Sequence, residues 1–304
     1  MDIYMSGVSC TLGEKKYNFR EIEEFQELIK KFGLTDKPDY WNWGNFHKAE
    51  KTLFEQAEIT IAKTLNTISI APEDIELVFF CCSAPGTDFS KVNTSLGNIL
   101  VKNNISQVQI IGQNIGGCTS IFHVLRVAEA LISQKLYKNI LVVASDKVPK
   151  DSDRMYQFGI YSDCASSFLL SSEEKKGYKL KNVCVATDTK LMSGVMENRD
   201  SHFIHLNEVH SNLRTTDEFD KTKIEKVFMT NVFKPIMNIN LSRLGYKSHQ
   251  HFYDNIATTG HCFATDPLLN LITYENNSEM PSQTNYLLAA IASGHAAFAS
   301  IEKV

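Results

Sequence analysis

The chain has 304 residues, of which 43% are hydrophobic and 22% are charged, a composition typical of globular proteins. The formal net charge is −4 and no basic stripe runs along the sequence, which argues against nucleic acid as a partner. No apolar run reaches the ~20 residues needed to span a bilayer, and the N-terminus lacks the pattern of a secretory signal. We therefore expect a cytoplasmic protein without a membrane segment.

The first half of the chain predicts helices and buried strands in alternation. Helical spacing of apolar residues covers 18–32, 48–68 and 119–136. Compact apolar runs predict strands buried on both faces at 75–82, 108–113 and 139–145. A strand, a helix and a strand at this spacing form a βαβ unit, which predicts a parallel sheet.

The second half repeats this alternation. Strands are predicted at 164–172, 178–187, 225–231, 285–293 and 296–304, and helices at 232–245 and 266–274. The first two strands are expected to form a hairpin around Lys176-Gly177, and the polar segment 188–224 is expected to be a loop-rich cap. Residues 1–172 and 173–304 are thus predicted to be two similar α/β halves.

The cysteines indicate thiol chemistry rather than disulfides or metal binding. There are seven of them: Cys10, Cys81, Cys82, Cys118, Cys164, Cys184 and Cys262. The odd number and the lack of C-x-x-C spacing argue against a disulfide framework and a zinc site. His249 and His251 form a His-x-His pair, but two ligands are weak support for a metal, so none is predicted. Cys81, Cys82 and Cys164 are assigned to the core.

One cysteine has the local sequence of a nucleophile. Cys118 follows Gly116-Gly117 and opens a predicted helix. Glycines permit the tight turn that directs one side chain into a cleft, and the helix N-terminus favours a thiolate. The backbone N–H of Cys118 would point towards a developing oxyanion. The alternative is a small residue at a helix-packing position.

Several segments together resemble the β-ketoacyl-acyl-carrier-protein synthase III family of the thiolase superfamily. Four segments carry the resemblance: 71–89, the IGGCTS segment around Cys118, 151–170 and 225–304. The first of them resembles the family's strand and substrate-facing loop. In 151–170, Ser162 and Cys164 replace two glycines of the family's pattern. The resemblance implies a five-layered αβαβα fold built from two similar halves, a homodimer, and a cysteine that is acylated by a thioester.

The resemblance also implies partners for the thiol. Where the family carries the His of its His-Gln-Ala-Asn segment, this chain has Thr230-Asn231, and His261 stands where the family has a catalytic Asn. Asn231 is therefore expected to assist catalysis, although a role at the end of a strand also explains it. The pattern is similar to a natural-product subgroup that uses Cys, His and Asp. The similarity to that subgroup implies that Asp266 orients His261. The position of Asp266 before Pro267 suits a helix N-cap equally well.

Chemistry supports His261 independently of the resemblance. Imidazole can protonate a leaving thiolate and later deprotonate an acceptor near neutral pH. His261 follows Gly260 in a strand-to-helix loop, where the active sites of α/β sheets gather. Gly294 matches the family's glycine-rich loop that completes the oxyanion hole, and a hairpin turn explains it equally. His123, on an apolar helix face, is expected to be packed.

The donor and the reaction remain open between alternatives. Trp41 and Trp43 occupy the segment where coenzyme A-dependent relatives place Trp and Arg, but no Arg is present, which favours a carrier-protein thioester over coenzyme A. The sequence predicts an acyltransferase of polyketide or other specialised metabolism, acting on an oxygen or nitrogen of a small-molecule acceptor. The alternatives are a decarboxylating synthase that forms a carbon–carbon bond and a non-catalytic partner subunit. No tightly bound cofactor is expected.

Overall fold

The fold is known from a computed structural model that describes residues 1–83, 89–195, 199–213 and 219–304. Its strands are β1 (Ile3–Leu12), β2 (Lys15–Asn18), β3 (Asn45–Lys48), β4 (Leu77–Cys81), β5 (Gln109–Gln113), β6 (Asn139–Asp146), β7 (Met155–Tyr156), β8 (Gly159–Ile160), β9 (Cys164–Ser171), β10 (Tyr178–Thr187), β11 (Ile224–Met229), β12 (Asn285–Ala292) and β13 (His295–Lys303). Its helices are α1 (Phe25–Lys31), α2 (Pro38–Trp41), α3 (Leu53–Leu65), α4 (Phe89–Lys102), α5 (Ser120–Ser133), α6 (Thr189–Met192), α7 (Arg199–Leu213), α8 (Lys234–Arg243), α9 (Asp254–Thr258) and α10 (Asp266–Asn277). Within these ranges no helix has the length and apolar character needed to cross a membrane.

A nine-stranded sheet in the order β11-β12-β13-β10-β1-β9-β6-β4-β5 organises the described chain. On one side β1 pairs antiparallel with β9, β9 antiparallel with β6, and β6 parallel with β4. On the other side β10, β13, β12 and β11 repeat the same three pairings in the same order. The parallel β4–β5 pair has a counterpart in the single parallel bridge between Val227 and His251. This repetition agrees with the predicted fold of two similar halves, while the boundary at 172/173 stays a prediction.

The helices form three layers around the two halves of the sheet. α5 and α10 lie between the halves, where their apolar residues share one core with both. α3 and α4 cover the outer face of the first half, and α7 and α8 cover the outer face of the second. The arrangement is the predicted αβαβα stack.

The double covering of the sheet explains the apolar runs in the sequence. Along β4, Leu77, Phe79 and Cys81 face the central helices, whereas Val78 and Phe80 face α3 and α4. Successive side chains of a strand point to opposite faces, so a strand covered on both sides must be apolar throughout. The predicted strands at β4 and β6 are confirmed for this reason.

The predicted hairpin around Lys176-Gly177 is wrong. β9 and β10 are consecutive in the chain, but β1 lies between them, pairing through Tyr4 with Ser171 and through Ile3 with Leu180. The sequence analysis did not predict β1, because IYMSGVSCTL mixes polar, apolar and glycine residues without a clear period. Long-range pairing, not the turn, decides this part of the topology.

Three other sequence predictions need correction. β5 is an edge strand with mostly exposed or half-buried side chains, so it is not buried on both faces. The segment 188–224 contains α6 and α7, whose buried Leu206, Val209 and Leu213 pack under a polar outer face. The predicted helix at 48–68 is α3, which starts later because Thr52 and Glu55 form a capping box. The substrate-facing loop predicted at the end of 71–89 falls largely outside the described residues.

Candidate active site

The nucleophile candidate lies on a turn shaped by two glycines. Gly116 and Gly117 have φ values of 109° and 53°, which L side chains rarely adopt. A 3₁₀ turn, Gly117–Thr119, follows and leads directly into α5. The Thr119 hydroxyl and N–H both donate to the carbonyl of Gly116, at 2.8 and 3.0 Å. Cys118 is therefore held at the N-terminal end of α5, as predicted, where the helix dipole favours a thiolate.

The imidazole of His261 lies beside this thiol. Its Nε2 is 3.2 Å from the Sγ of Cys118, although 143 residues separate the two in the chain. The Cys118 residue is 9% exposed and His261 is 0% exposed. The backbone N–H of His261 donates to the carbonyl of Ile160 at 2.7 Å, and its own carbonyl accepts from the N–H of Ser162 at 2.9 Å. These bonds fix the imidazole from the side of β8.

The carboxylate of Asp266 completes the line. Its Oδ2 accepts a hydrogen bond from Nδ1 of His261 and another from the backbone N–H of Asn231 at 2.8 Å. Its Oδ1 accepts from the backbone N–H of Cys262 at 2.7 Å. Because a carboxylate only accepts, Nδ1 carries a proton and Nε2 faces the sulfur. The carboxylate thus sets the tautomer that thiol chemistry requires.

The helix N-cap interpretation of Asp266 is wrong. Asp266 is the first residue of α10, the N-cap position belongs to Thr265, and no side-chain cap bond is present. Its carboxylate points back to His261 and to backbone N–H groups outside the helix. Pro267, the second residue of α10, has no N–H that needs a cap, which leaves the aspartate free to bind the imidazole.

The electrostatics favour a protonated imidazole. Burial acts to lower the pKa of His261, but the adjacent Cys118 and Asp266 outweigh burial and hold this pKa well above the ordinary 6.5. An imidazolium between a sulfur and a carboxylate can donate a hydrogen bond to each. The three side chains therefore form a hydrogen-bonded line from the Cys118 sulfur through the imidazole to the Asp266 carboxylate.

The other cysteines are placed differently. Burial raises the pKa of Cys10, Cys81, Cys164 and Cys262 above the ordinary value for a thiol. The Cys164 thiol donates to the carbonyl of Cys262 at 3.1 Å. These groups remain neutral thiols in apolar surroundings, in agreement with the assignment of Cys81 and Cys164 to the core.

The side chain of Asn231 is hydrogen-bonded to residues other than Cys118 and His261. Its Nδ2 donates to the carbonyl of Gly260 at 3.0 Å, and its Oδ1 accepts from Asn270 at 2.9 Å. The residue contacts the predicted site through its backbone N–H, which binds Asp266. The neighbouring Thr230 hydroxyl accepts from the N–H of Ile291 at 3.2 Å. The structure thus brings Asn231 to the site as a support for the aspartate.

Gly294 lies in the turn between β12 and β13. It has a φ of 71°, and a Cβ there would approach the backbone of Met192 to 2.5 Å. Its carbonyl accepts from the N–H of Asp188 at 2.8 Å. Ala292, two residues earlier, reaches the nucleophile turn, since a Cβ on Gly117 would lie 3.5 Å from its methyl group. The turn is therefore adjacent to Cys118, and a predicted role for the Gly294 N–H in an oxyanion hole stays a prediction.

Aromatic side chains form one wall of the site, and the sequence analysis did not predict this. The ring centroid of Tyr161 is 4.6 Å from that of His261, and the ring of Phe263 stacks on the imidazole at 5.6 Å. Phe158 lies 6.3 Å from it. Phe263 has a φ of 52°, an unusual value for a bulky residue and a sign of local strain. The repeated aromatic residues within 156–161 were the feature of the sequence that could have indicated this wall.

The other residues considered in the sequence analysis lie outside the hydrogen-bonded line of Cys118, His261 and Asp266. Trp43 is buried against Phe19, Phe25 and Phe233, so it belongs to the core, whereas Trp41 is half-buried. The half-buried His123 packs edge-on against His295 at 6.0 Å. His251 directs both ring nitrogens to protein oxygens, Oδ1 of Asn238 and the carbonyl of Tyr246.

Part of the sequence is similar to proteins of known family. The family model for 3-oxoacyl-[acyl-carrier-protein] synthase III matches residues 115–189. The β-ketoacyl-[acyl-carrier-protein] synthase III of Rickettsia canadensis is 27% identical over 182 residues, which is 57% of this chain and 55% of the relative. That of Rickettsia bellii is 27% identical over 124 residues. The matches thus span about half or less of each curated relative.

Solved structures show the same fold over the whole chain. An acyltransferase called ChlB3 superposes with a TM-score of 0.85 at 16% identity, covering 100% of this chain and 98% of the other. The 3-oxoacyl-[acyl-carrier-protein] synthase III of Aquifex aeolicus superposes with a TM-score of 0.80 at 15% identity, covering 99% of both chains. The fold is therefore the one that these acyltransferase and synthase III structures share. Part of the sequence is also similar to synthase III proteins, which confirms the resemblance found in the sequence.

Proposed function

We propose that this protein is a thioester-dependent acyltransferase that carries its acyl group on Cys118. The contiguous line of Cys118, His261 and Asp266 is the observation that supports the proposal, with the sulfur 3.2 Å from Nε2 and the carboxylate on Nδ1. A nucleophile, a base within hydrogen-bond reach and a group that orients the base are the parts that covalent catalysis requires. The proposal assigns His261 as general base and acid and Asp266 as its orienting group.

In the acylation step, the Cys118 thiolate attacks the carbonyl carbon of an acyl thioester. The carbonyl oxygen becomes an oxyanion, to which the N–H of Cys118 and, as a second proposed donor, that of Gly294 would each donate a hydrogen bond. The intermediate collapses by breaking the bond to the donor sulfur. The imidazolium of His261 gives its proton to that departing thiolate, so the step leaves an acyl-cysteine, a free donor thiol and a neutral imidazole.

In the transfer step, neutral His261 accepts a proton from a hydroxyl or amine of the acceptor as that atom attacks the acyl-cysteine. The carbon–sulfur bond breaks, and the Cys118 thiolate leaves. The imidazolium and the thiolate are thereby restored together. A heteroatom acceptor suits this site because one imidazole placed beside the sulfur supplies the proton transfers of both steps.

The second candidate is a decarboxylating synthase that forms a carbon–carbon bond. It is favoured by the similarity to the β-ketoacyl-[acyl-carrier-protein] synthase III proteins of Rickettsia. Such a reaction needs donors that stabilise an enolate close to the thioester. In this chain the Asn231 amide is committed to Gly260 and Asn270, which supports heteroatom transfer instead. A non-catalytic partner subunit is less well supported, because the three reactive side chains are in line.

Intact mass and carbon dioxide release distinguish these functions. Incubation with a panel of acyl thioesters should add one acyl group to the protein, and the modified peptide should contain Cys118. Malonyl thioesters are then added to the acyl-enzyme. Rapid carbon dioxide release coupled to a β-keto product would overturn heteroatom transfer, and complete lack of loading with every thioester would support the partner-subunit alternative.

The donor and the assembly state are further parts of the proposal. Trp43 is buried in an aromatic cluster and Trp41 packs against it. Neither tryptophan is thus free to bind a nucleotide, which supports a carrier-protein thioester over coenzyme A. We also propose a cytoplasmic homodimer, since β5 ends the sheet with Ile110 42% exposed and open strand edges invite pairing. Light scattering should report about twice the 34.3 kDa chain mass, and a stable monomer would contradict this.

A further inference from the structure

Asn231 joins both ends of the loop that carries His261. Its Nδ2 donates to the carbonyl of Gly260 at 3.0 Å, and its backbone N–H donates to Oδ2 of Asp266 at 2.8 Å. Gly260 directly precedes the imidazole, and Asp266 binds it from behind. One residue therefore holds the backbone in front of His261 and the carboxylate behind it.

A second asparagine fixes the orientation of the first. The Asn270 Nδ2 donates to Oδ1 of Asn231 and to the carbonyl of Met229, both at 2.9 Å. Its own Oδ1 accepts from Nδ2 of Asn255 at 2.9 Å. With its oxygen bound to a donor, the Asn231 amide must turn its nitrogen towards Gly260.

All three asparagines of this hydrogen-bonded series are buried. Asn231, Asn255 and Asn270 are 1%, 2% and 0% exposed. Reversing any one amide would place two acceptors or two donors together in a buried region, where unpaired polar groups are costly. Such a network permits one arrangement. It fixes Asn231, whose backbone N–H binds the carboxylate that contacts His261.

We propose that Asn231 and Asn270 are positioning residues that hold Asp266 against His261 and so support the Cys118 thiolate. The inference rests on the proposed function, in which His261 is the acid and base. Neither amide is proposed to touch substrate. Asn231 follows β11, and Asn270 lies on α10. Both act on the Cys118 thiol only indirectly, by holding Asp266 in contact with His261.

Among the residues that the structure describes, four ionisable groups face His261 from the elements packed around it. They are Cys118 at the start of α5, Asp266 on α10, Asp146 at the end of β6 and Tyr161 after β8. If the side-chain amides are removed, the backbone N–H of Asn231 is still present but is no longer held in place by them. Asp266 is then less firmly positioned, while the other three groups remain. The imidazolium is then less favoured, and the thiolate should form only at higher pH.

Alkylation of Cys118 by iodoacetamide measures this directly. The rate is followed against pH, with the Cys118 peptide quantified by mass spectrometry. Asn231→Ala should move the profile upward by about one pH unit, which corresponds to a tenfold loss of thiolate at a fixed pH below it. Asn270→Leu should shift it in the same direction by less, because Leu leaves the Asn231 bond to Gly260 in place.

Asn139→Ala is the matched control. Asn139 is also buried, at 3% exposed, and its amide accepts from Ser171 and donates to the carbonyl of Asp74. It lies at the opposite end of β6 from Asp146, so its loss should lower stability without moving the alkylation profile. A merely structural role for Asn231 predicts the same behaviour for both variants.

The outcomes separate this inference from the proposed function. An unshifted profile in folded Asn231→Ala, or an equal shift in Asn139→Ala, would overturn the positioning role. If Asn231→Ala does not fold, Asn255→Ala replaces it, since it loosens only the outer end of the chain, and an unshifted profile there also overturns the role. Alkylation needs no acyl donor or acceptor, so failure to transfer an acyl group would refute the proposed function alone.

Discussion

The two halves of the molecule share one pattern of strand pairing but hold their reactive side chains in different ways. In the first half, Cys118 stands on a turn made by Gly116 and Gly117 and closed by Thr119. In the second, His261 is fixed by backbone bonds to the 160–162 segment and by the carboxylate of Asp266. The position of the thiol is thus set by the backbone conformation of a glycine turn, whereas the position of the imidazole is set by a network of buried hydrogen bonds.

This difference follows from what each group must do. A nucleophile has to approach a carbonyl carbon and then carry a bulky acyl group, which requires space next to its backbone. A general base has to keep one nitrogen protonated and the other free, which requires a partner fixed on one side. Glycines supply the first requirement, whereas buried hydrogen bonds supply the second.

Loss of the thiol should have the largest effect. Cys118→Ala is expected to abolish acyl loading, because a methyl group cannot form a thioester. Cys262→Ala, which removes a buried neutral thiol beside His261, is the matched control and should load normally. Intact mass after incubation with acyl thioesters measures both, and undiminished loading of Cys118→Ala would show that the nucleophile lies elsewhere.

Loss of the imidazole should follow. His261→Ala is expected to reduce turnover by about 10²-fold or more, the scale of general acid–base catalysis. Asn231→Ala should cost much less, because its side chain supports the loop without moving a proton. Steady-state rates under matched donor concentrations measure the difference. Equal losses in the two variants would contradict the assignment of His261 as the base.

The two glycine turns offer a comparison of stability. Gly260 has a φ of 66°, and a Cβ there would lie 2.5 Å from the carbonyl oxygen of Ile160, whereas a Cβ on Gly117 meets only the Ala292 methyl at 3.5 Å. Gly117→Ala should therefore cost about 1–2 kcal/mol for its backbone conformation alone. Gly260→Ala should cost more in urea unfolding, since a backbone oxygen must also move. A larger loss of stability for Gly117→Ala than for Gly260→Ala would show that the loop before His261 adapts to a Cβ more easily than the turn before Cys118.

The pH dependence of stability should show the smallest effect. The folded-state pKa of His261 is raised, so its charged form stabilises the fold fully at pH values below 6.5, and this contribution is lost as the pH rises through the raised pKa. Asp266→Asn removes one cause of the shift. The stability advantage of the unmodified protein over Asp266→Asn should thus shrink with rising pH, by an amount of order 1 kcal/mol per unit of pKa difference. An advantage that grows with pH would contradict a raised His261 pKa.

The sequence was most informative where the chain acts locally. The buried strands β4 and β6 and the helix α5 follow from apolar periodicity, which needs only neighbouring residues. Cys118 and His261 also have suitable local sequences, but the resemblance of several segments to the synthase III family was needed to prefer them over structural roles.

The sequence could not show the role of Asp266, because a helix cap and a partner for His261 require the same residue at the same place. The amide of Asn231 was equally ambiguous, since its partners Gly260 and Asn270 lie 29 and 39 residues away. The aromatic wall of Tyr161 and Phe263 was not predicted, because two separate loops build it.

The sequence by itself determined the alternation of strands and helices, the layers that bury them and the thiol at the start of α5. Only the tertiary structure decided that β1 separates β9 from β10, and that a thiol and an imidazole 143 residues apart lie 3.2 Å from each other. The physical reason is that periodicity and turn chemistry act between neighbours in the chain. Strand order and buried hydrogen bonds, in contrast, are selected by the packing of segments that meet only after folding.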